Sequence, residues 1–377
     1  MNENKIFFAK HNNYDNYEEI YNSIKRIFDF YGGVENFIKP NDKVLLKINL
    51  VSGHPIEKRV TTDPNIVKAV AEIVLKAGGK PFLADSPGID NFNNAAKKAG
   101  FMKVAEELNI PCHELTDPVA LPIKYENSGF KNVQVSKYVL EADKIISLPK
   151  LKTHGQMLLT LGVKNLFGCI PGRAKAGWHY NVGLNRENFA GFLIDLYMNI
   201  KPNLTIIDGV IGMQGDGPTS GEPYNYGIIA AAQDVLKMDF WLCKFMGAKF
   251  DDYPLYNAAV RKNLEQVNLN PQDLAGDVDE NFKFENLKLP ETRPMRLLPK
   301  IPFLERLLTS KPVHIPDKCI GCGRCQEVCA AGALKHNNKK LTFDYTKCIR
   351  CYCCHEMCPV HAIDFKQGLL VRLLSRI

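Results

Sequence analysis

Hydrophobic positions follow two different periods along the first 290 residues, and the two periods alternate. Residues 5–9, 44–51 and 80–85 are short, nearly continuous apolar runs, the pattern of buried β-strands. Residues 17–30 and 64–75 instead place apolar side chains every three or four positions, as amphipathic helices do. This alternation of strand and helix predicts an α/β fold, a mostly parallel sheet with flanking helices.

Capping and turn residues mark the ends of these elements. Asp63-Pro64 is typical of a helix start, and Gly78-Gly79 ends the same helix. Further helices are predicted over 93–108, 186–200 and 235–246, and further strands over 110–115, 144–150, 204–209 and 227–232. Residues 116–137 are predicted to be an insertion or a hairpin, and residues 252–290 to be helical and then linker.

Two cysteine runs near the end of the chain repeat each other. Residues 319–329 and 348–358 both read C-x2-C-x2-C-x3-C, and every cysteine of one run has its counterpart 29 residues away. Bacterial two-cluster ferredoxins use this spacing, and the fourth cysteine of each run ligates the cluster of the other run. We therefore predict two [4Fe-4S] clusters. The first cluster is assigned to Cys319, Cys322, Cys325 and Cys358, and the second cluster to Cys348, Cys351, Cys354 and Cys329.

The alternatives to iron-sulfur ligation are zinc, which favours two separated cysteine pairs, and disulfides, which need an oxidising compartment. Residues 313–366 resemble a bacterial-type ferredoxin module, which implies a small α+β domain. The module departs from the usual pattern at Ala330, where the first run would have proline, and at Cys353, an additional thiol. Because ligation by Cys353 would break the register of the repeat, we expect it to be a packed thiol.

The length of the chain, 377 residues, exceeds what one ordinary core organises, so two or three units are expected. We predict an α/β domain over residues 1–290 and a linker over 291–312. The two-cluster domain then covers residues 313–367, and residues 368–377 form a tail. Residues 293–308 and the tail are basic and apolar, which favours packing of the module onto the body, with peripheral membrane contact as the alternative.

The positive charge lies at the cluster end of the chain. From residue 291 onwards there are 15 Lys or Arg and 7 Asp or Glu, a net charge of +8, whereas the first 290 residues carry 33 and 34, a net charge of −1. The excess either compensates the charge of the clusters or forms a docking face for an acidic redox partner protein. No nucleic-acid-binding motif accompanies it, so nucleic acid is not an expected partner.

Cysteine usage also bears on the compartment. Cys112, Cys169 and Cys243 are scattered singly, which together with a cluster module indicates a reducing cytoplasm and an anaerobic source. No apolar signal segment follows Met1, and no apolar run approaches the length of a membrane span. We expect a cytoplasmic protein without a transmembrane segment, whose oligomeric state the sequence does not specify.

The most basic segment of the large domain is residues 150–179. It holds four lysines, one arginine and two histidines but no Asp or Glu, and small residues and glycines separate the cations. Donors of this kind on a closely approaching backbone are typical of an anion site. The alternative is that these cations pair with distant carboxylates or with solvent. The candidate residues for holding the anion and supplying protons are Lys150, Lys152, His154, Lys164 and His179.

Acidic and polar residues that could complete this site follow predicted strands. Asp208 ends a strand and Asp216 lies in a glycine-rich loop over residues 209–223, which we predict to be a wall of the active site. Asp85-Ser86 ends another strand, and ligands of parallel sheets gather at such ends. Lys47 is a candidate only if its strand is buried. The loop matches neither the Walker nor the dinucleotide-binding glycine pattern.

Five separated motifs then identify a family. They are Thr61–Pro64, Asp85–Gly88, Pro149–His154, Lys164–Gly168, and Asp208-Gly209 through Gly215–Pro218. Over about residues 40–250 they resemble the prokaryotic iron-sulfur family known as domain of unknown function 362, which also fits a C-terminal ferredoxin module but implies no particular reaction. The lysine and histidine motifs are also similar to the nickel-dependent lactate racemase family, which implies a 2-hydroxy acid or another small anion.

Three functions remain open at this point. The first is an oxidoreductase that relays single electrons through two [4Fe-4S] clusters to a small anionic substrate in the α/β domain, with Asp208 or Asp216 orienting the cations. The second is an electron carrier or assembly partner that docks to an acidic redox protein. The third is a non-redox lyase or isomerase with structural clusters. We favour the oxidoreductase.

Overall fold

A computed structural model describes residues 2–88, 90–172, 174–181, 186–290, 311–337 and 340–366. Its contacts divide the chain into two compact units, residues 1–172 with 186–290, and residues 173–185 with 291–377. By these contacts residues 174–181 fall in the second unit, and the predicted extent of the α/β domain, residues 1–290, stays a prediction. The predicted linker over residues 291–312 and the tail over 368–377 lie almost wholly outside the described residues.

The first unit contains a ten-stranded sheet, a two-stranded hairpin and most of the helices. Its strands are β1 (Ile6–Lys10), β2 (Lys43–Lys47), β3 (Lys80–Asp85), β4 (Cys112–Glu114), β5 (Pro118–Ala120), β6 (Gln134–Ser136), β7 (Lys144–Ser147), β8 (Lys150–His154), β9 (Leu158–Leu159), β10 (Leu204–Gln214), β11 (Glu222–Ala232) and β12 (Leu274–Gly276). The helices of the chain up to residue 290 are α1 (Tyr17–Phe30), α2 (Pro64–Lys76), α3 (Phe92–Lys98), α4 (Phe101–Leu108), α5 (Lys137–Glu141), α6 (Gly162–Asn165), α7 (Ala174–Asn181), α8 (Arg186–Ile200), α9 (Val235–Phe245) and α10 (Pro254–Arg261), of which α7 belongs to the second unit.

The large sheet is mostly parallel. Its strand order is β12-β1-β11-β10-β7-β2-β3-β4, and β8 pairs with both β10 and β9. The pairs β10–β7, β7–β2, β2–β3 and β3–β4 are parallel, whereas β11 is antiparallel to both of its neighbours. The predicted α/β fold is confirmed, and the parallel strands all end at one edge.

N-capping side chains explain why α1 and α2 begin at the residues that the sequence predicts. Asn16 and Asp63 are the N-caps of α1 and α2, and each side chain accepts a hydrogen bond from the first turn of its helix. The apolar stripe of α1 (Ile20, Ile24 and Ile27) is fully buried in the same core as the strands. Burying each such side chain contributes about 1.5–3 kcal/mol.

The structure corrects the prediction at three places. Residues 150–154, described from the sequence as a glycine-spaced basic segment, form the buried strand β8. Residues 209–214 continue β10 and residues 222–226 begin β11, so the predicted glycine-rich loop shrinks to residues 215–221. Cross-strand pairing stabilises glycines that by themselves disfavour a strand.

Residues 116–137 contain the antiparallel pair β5–β6, so the hairpin alternative is correct. Residues 252–290 contain only α10, β12 and short turns, less helix than predicted. The remaining short turns are 3-10 helices at Val34–Asn36, Ile56–Lys58, Leu166–Cys169, Phe250–Asp252, Glu265–Val267, Pro271–Asp273 and Pro316–Lys318. Within the described ranges, no helix combines the length and the apolar character needed to cross a bilayer.

The cysteine-rich part of the second unit is a small α+β arrangement. It contains β13 (Lys311–His314), α11 (Arg324–Glu327), β14 (Leu334–Asn337), β15 (Lys340–Phe343), α12 (Cys353–Glu356) and β16 (Ile363–Lys366). β13 pairs with β16 and β14 with β15, both antiparallel. Leu334, Leu341, Cys354 and Ile363 form its apolar core.

Candidate functional site

Buried charged side chains gather where the parallel strands of the first unit end. Lys47 is the last residue of β2 and Asp85 the last of β3, and their side chains form an ion pair of 2.8 Å with almost no exposed surface. Lys47 also donates to the carbonyl of Ile48, and Asp85 accepts the backbone N–H of Leu50 and Ser86. The sequence makes Lys47 a candidate site residue only in a buried strand. Because β2 is buried, Lys47 is such a candidate.

A chain of amide hydrogen bonds runs from Lys152 of β8 to Ser147, the last residue of β7. The Lys152 ammonium donates to Asn49 Oδ1 (2.8 Å) and to the Val60 carbonyl (2.7 Å). Asn49 in turn donates to Asn165 Oδ1 (3.0 Å), and Asn165 donates to Ser147 Oγ (3.0 Å). These side chains fix the position of Lys152, which is fully buried.

A second buried ion pair joins β8 to β10. Lys150 Nζ lies 2.7 Å from Asp208 Oδ2 and 2.8 Å from the hydroxyl of Tyr14, which donates to Asp208 Oδ1 at 2.5 Å. The backbone N–H of Asp63 also donates to Asp208, at 2.8 Å. Asp208 thus holds Lys150 in place, and this cation of the basic segment does pair with a distant carboxylate. The predicted role of Asp208 in orienting the cations toward a substrate stays a prediction.

Negative charge around Tyr14 suppresses its ionisation. Burial raises the pKa of Tyr14 well above its usual value, and the Asp208 and Asp63 carboxylates add to the rise. Burial also raises the pKa of Asp63, reinforced by Asp208 and opposed by Lys150. Arg59 pairs with Asp63 at 2.9 Å and stacks over the Tyr14 ring at 4.8 Å. Tyr14, Lys150, Asp208 and Asp63 are therefore one connected set of hydrogen-bonded acids and bases, in which Tyr14 keeps its proton.

His154 ends β8 and is held by the turn that follows. Its Nδ1 accepts the backbone N–H groups of Gln156 and Met157, both at 3.1 Å. Nδ1 is therefore the unprotonated nitrogen of the neutral ring. The imidazole is 1% exposed, so it is part of the buried polar region rather than of the surface.

The other predicted residues are less closely associated with this region. Lys164 is half-buried on α6, next to Asn165 of the amide chain. Asp216 is exposed in the short turn between β10 and β11, which does not place it beside the buried lysines. His179 is on α7 of the second unit, and its side chain lies outside the described part of the structure.

A buried carboxylate sets the start of α6. Asp239 of α9 accepts the N–H of Gly162 at 2.8 Å and that of Val163 at 2.9 Å. Burial raises the pKa of Asp239 to about 7, although these two N–H groups favour its ionised form. Through this cap, α9 fixes the helix that carries Lys164 and Asn165.

Gly168 leaves room for the Lys47–Asp85 pair. A Cβ at Gly168 would lie 2.3 Å from Asp85 Oδ1 and 2.6 Å from Lys47 Nζ, closer than such atoms can approach. Nearby, Gly172 N–H donates to Ser86 Oγ at 2.8 Å. The segment from 166 to 172 therefore covers the end of β3, and only glycine fits at residue 168.

The backbone is also strained near the carboxyl ends of these parallel strands. Val51, four residues after β2, has φ of 55°. A β-branched side chain is rarely found in this left-handed region, and such outliers concentrate at functional sites. Val51 directly follows Leu50, whose N–H is bound by Asp85.

Sequence reasoning missed Tyr14 and Asn165 as parts of this region. Tyr14 lies between β1 and α1, far along the chain from the basic segment, and no local pattern marks it. Asn165 had a usable signal, since it follows Lys164 in a motif already singled out. Tyr14 is identified only by its contact with Asp208.

In the second unit, the cysteines of the two runs come together across the repeat. All twelve cysteines of the chain are free of disulfides. Cys329 of the first run lines one cavity with Cys348, Cys351 and Cys354 of the second run, and the empty space there, including the open mouth, is about 370 Å³. Three or more His, Cys, Asp or Glu side chains do not converge on a single-ion site anywhere in the described ranges.

The repeat extends to hydrogen bonds at the sulfur atoms. Ala333 N–H donates to Cys329 Sγ at 3.2 Å, and Ala362 N–H, 29 residues later, donates to Cys358 Sγ at 3.1 Å. Backbone donors to thiolate sulfur are a common feature of iron-sulfur ligation. The donor set of eight thiols and these two N–H groups fits two [4Fe-4S] clusters.

Cys353 is buried next to a predicted ligand. Its Sγ lies 3.9 Å from the carbonyl of Cys351, and it lines the same cavity. The Cys351 thiol and burial together raise its pKa well above the usual value. The predicted packed character of this thiol stays a prediction, although its burial is consistent with it.

Comparison with known families covers both units. A family described as Domain of unknown function (DUF362) matches residues 44–244, and a 4Fe-4S dicluster domain matches residues 311–359. Thylakoid-associated protein sll1697 of Synechocystis sp. is 36% identical over 298 residues, which cover 78% of this chain and 88% of that protein.

Solved structures resemble the chain only distantly. The lactate racemase apoprotein of Thermoanaerobacterium thermosaccharolyticum has 11% identity and a TM-score of 0.42, and the match covers 62% of this chain and 55% of that chain. A protein from Thermotoga maritima has 15% identity and a TM-score of 0.35, with 52% of this chain and 51% of that chain covered.

Proposed function

The chain belongs to the family of domain of unknown function 362 and is an iron-sulfur protein with a 4Fe-4S dicluster domain, and from this premise we propose that it is an oxidoreductase. Single electrons enter through two [4Fe-4S] clusters and reduce a small anionic substrate bound in the α/β unit. A reducing, cytoplasmic compartment agrees with twelve cysteines that form no disulfide.

The observation that carries the proposal is the shared cavity of Cys329 with Cys348, Cys351 and Cys354. A single run supplies three thiols at i, i+3 and i+6, so the fourth ligand has to come from elsewhere. The cavity supports the crosswise assignment, in which Cys358 completes the first cluster and Cys329 the second. When bound, the two clusters supply one-electron transfer.

Substitution of single cysteines tests this ligand assignment. Anaerobically prepared protein is expected to hold about eight iron and eight sulfide per chain, as two [4Fe-4S] clusters require. Cys329→Ser is expected to lose or alter only the second cluster, because its other ligands are in the second run. Cys353→Ala is the matched control in the same cavity and should keep both clusters. Loss of a cluster in Cys353→Ala with none in Cys329→Ser would refute the assignment.

In the α/β unit, the buried cations bind and orient the anion. Lys152 is held by Asn49 and the Val60 carbonyl, and Lys150 by Asp208 and Tyr14. Preorganised cations in a dry region stabilise charge that develops on a substrate more strongly than cations in water do. Lys150 and Lys152 have no exposed surface, so we propose that binding of the anion requires a local rearrangement of the residues around them.

Protons for the reduction come from the same group. Conversion of a 2-oxo acid to a 2-hydroxy acid, for example, takes up two electrons and two protons, and the carbonyl oxygen and carbon each gain one hydrogen. Tyr14 and Lys150 carry donor protons in one hydrogen-bonded set with Asp208, and we propose that this set supplies the protons to the substrate. Proton delivery by a positioned group typically contributes about 10²–10⁴-fold to a rate.

Reoxidation of the reduced protein tests the function. Protein reduced with dithionite and freed of excess reductant is mixed anaerobically with 2-oxo acids, 2-hydroxy acids or phosphate monoesters, and the visible absorbance of the clusters is followed. A substrate of the correct class should reoxidise the protein. Lys152→Met should slow this reoxidation by about 10²-fold or more, the range found when one stabilising group is removed.

Lys68→Met is the matched control, because Lys68 lies on α2 and pairs with Glu107 away from the strand ends. It should reoxidise at the wild-type rate. If no anion of these classes reoxidises the protein, or if Lys152→Met behaves like Lys68→Met, the substrate site is not the buried lysine group.

A further inference from the structure

The two cysteine runs bend at equivalent positions, yet different residues occupy the bends. In the first run Gly321 (φ 77°) and Gly323 (φ 76°) adopt the left-handed conformation. In the second run Arg350 (φ 50°) and Tyr352 (φ 60°), each 29 residues later, adopt the same conformation. Left-handed backbone suits glycine and is unfavourable for residues that carry a Cβ. The second run therefore keeps two strained residues where glycine is structurally sufficient.

Strain that persists in a fold points to a role for the side chain involved. Arg350 and Tyr352 are 9% and 8% exposed, and both line the cavity formed with the four cysteines of the second cluster. The Tyr352 ring packs edge-on against Phe365 at 4.7 Å, which holds it there. The residues that replace the glycines therefore form part of the wall of one cluster site.

Arg350 also brings charge to this wall. A guanidinium is positively charged at every physiological pH, and Arg350 lies between the predicted ligands Cys348 and Cys351 in the chain and lines the same cavity. A positive charge near a cluster favours its reduced form, which is more negative, and so raises its reduction potential. The equivalent residue of the first run, Gly321, has no charge.

One backbone donor is equivalent at the two cluster sites. Under the crosswise assignment, the Ala333 N–H bond to Cys329 serves the second cluster and the Ala362 N–H bond to Cys358 serves the first. Their lengths, 3.2 Å and 3.1 Å, are nearly equal. This pair of donors therefore gives no difference in potential between the clusters, whereas Arg350 and Gly321 do differ in charge.

We propose that Arg350 sets the potential of the second cluster and holds it above that of the first. The proposal rests on the electron relay proposed above and adds a direction to it. One electron leaves the first cluster and is gained by the second, and no other reactant is needed. Arg350 is a positioning residue in this sense, because it acts through the cluster and not on the substrate.

A redox titration followed by electron paramagnetic resonance tests the proposal on the intact, cluster-loaded protein. The wild type should titrate in two resolved steps, assigned with the Cys329→Ser variant. Arg350→Gln should lower the potential of the second cluster and leave that of the first unchanged. Arg350→Lys keeps the charge, so the potential of its second cluster should stay close to the wild-type value.

Arg324→Gln is the matched control, since Arg324 is a half-buried arginine of the first run at the position equivalent to Cys353. The Arg324→Gln variant should leave the potential of the second cluster unchanged. Gly321→Arg is the reciprocal variant and should raise the potential of the first cluster only. It provides a separate measurement if Arg350→Gln fails to assemble.

The proposal would be overturned if the wild type titrated in a single unresolved step. It would also be overturned if Arg350→Gln shifted the reduction potentials of both clusters equally, or of neither. The titration needs no substrate. Failure of the reoxidation experiment with a selective Arg350 effect would therefore remove the proposed reaction and leave the tuning role in place.

Discussion

At the scale of single residues, the notable feature is that lysine ammonium groups are buried without exposed surface. Lys47 and Lys150 are each paired with an aspartate within 2.8 Å, and Lys152 is bound by amide and carbonyl oxygens. Buried ion pairs seldom stabilise a fold more than apolar residues would, because both charges lose their hydration. Their presence at the strand ends therefore favours a functional role over a stabilising one.

Removal of one partner of such a pair should be costly. Lys150→Met leaves the Asp208 carboxylate buried with its charge uncompensated, so we expect a loss of about 3–5 kcal/mol in the free energy of unfolding. The measurement is urea denaturation under anaerobic conditions, followed by a probe of the α/β unit.

The control for this prediction is Lys25→Met. Lys25 pairs with Asp29 on the exposed surface of α1, where solvent screens the interaction, so its removal should have little effect. Equal losses for the two variants would show that burial of the Lys150–Asp208 pair is energetically unimportant.

At the scale of elements, the site depends on strands that end together. β2, β3 and β7 are parallel neighbours, so Lys47, Asp85 and Ser147 lie side by side at their carboxyl ends. β8 then brings Lys150 and Lys152 to the same edge by pairing with β10. The segment from 166 to 172 closes over this edge, and Gly168 is its closest approach.

Gly168→Ala should disrupt this closure. The added methyl group would overlap both Lys47 and Asp85, and neither can move away without breaking a buried ion pair. We expect a loss of about 1–3 kcal/mol, the usual effect of overpacking a well-filled region. Thermal or urea unfolding of the purified variant provides the measurement.

Gly177→Ala serves as the comparison, because a Cβ at Gly177 meets no atom of the described residues within 4 Å and the residue lies within α7. Alanine is a better helix former than glycine, so this variant should be neutral or slightly stabilised. A neutral Gly168→Ala variant would mean that the segment is not closely packed on the ion pair.

Sequence patterns predicted these elements unevenly. The boundaries of α1 and α2 followed from their apolar spacing and caps. β8 was not recognised, since its lysines and histidine hide the strand pattern and its stability comes from pairing with β10 and β9. The extension of β10 beyond Gly209, through Gly212, was missed because glycine disfavours a strand and the stabilising pairing with β11 is not a local pattern.

At the scale of the whole molecule, charge is distributed unequally along the chain. The residues from 291 onwards carry a net charge of +8 and the remainder −1. Such a difference accelerates encounter with a partner of opposite charge, and salt weakens this effect. Docking of an acidic electron donor at the cluster region stays a prediction, and the salt dependence of electron transfer tests it.

Electron transfer from a small acidic ferredoxin should consequently depend on ionic strength. We expect the second-order rate constant for reduction of the clusters, measured by stopped flow, to fall by about tenfold or more between 0.02 M and 0.5 M salt, since the Debye length shortens over this range. A neutral chemical reductant is the control and should show little change. A flat profile with the acidic donor would exclude electrostatic docking.

The sequence by itself determined the features that depend on spacing along the chain. Cysteine spacing indicated an iron-sulfur module, alternating periods predicted the α/β class, and five short motifs identified the family. Each of these is a local pattern whose physical cause, such as ligand geometry or helix periodicity, acts over a few residues.

Only the tertiary structure decided which distant groups meet. It joined Tyr14 and Asp208 to Lys150, and it linked Lys152 through Asn49 to Asn165. These contacts depend on strand order and on chain reversal over tens to hundreds of residues, for which a single sequence carries no local signal. The charge partner of each lysine, and hence the chemistry available to it, was therefore set by the fold.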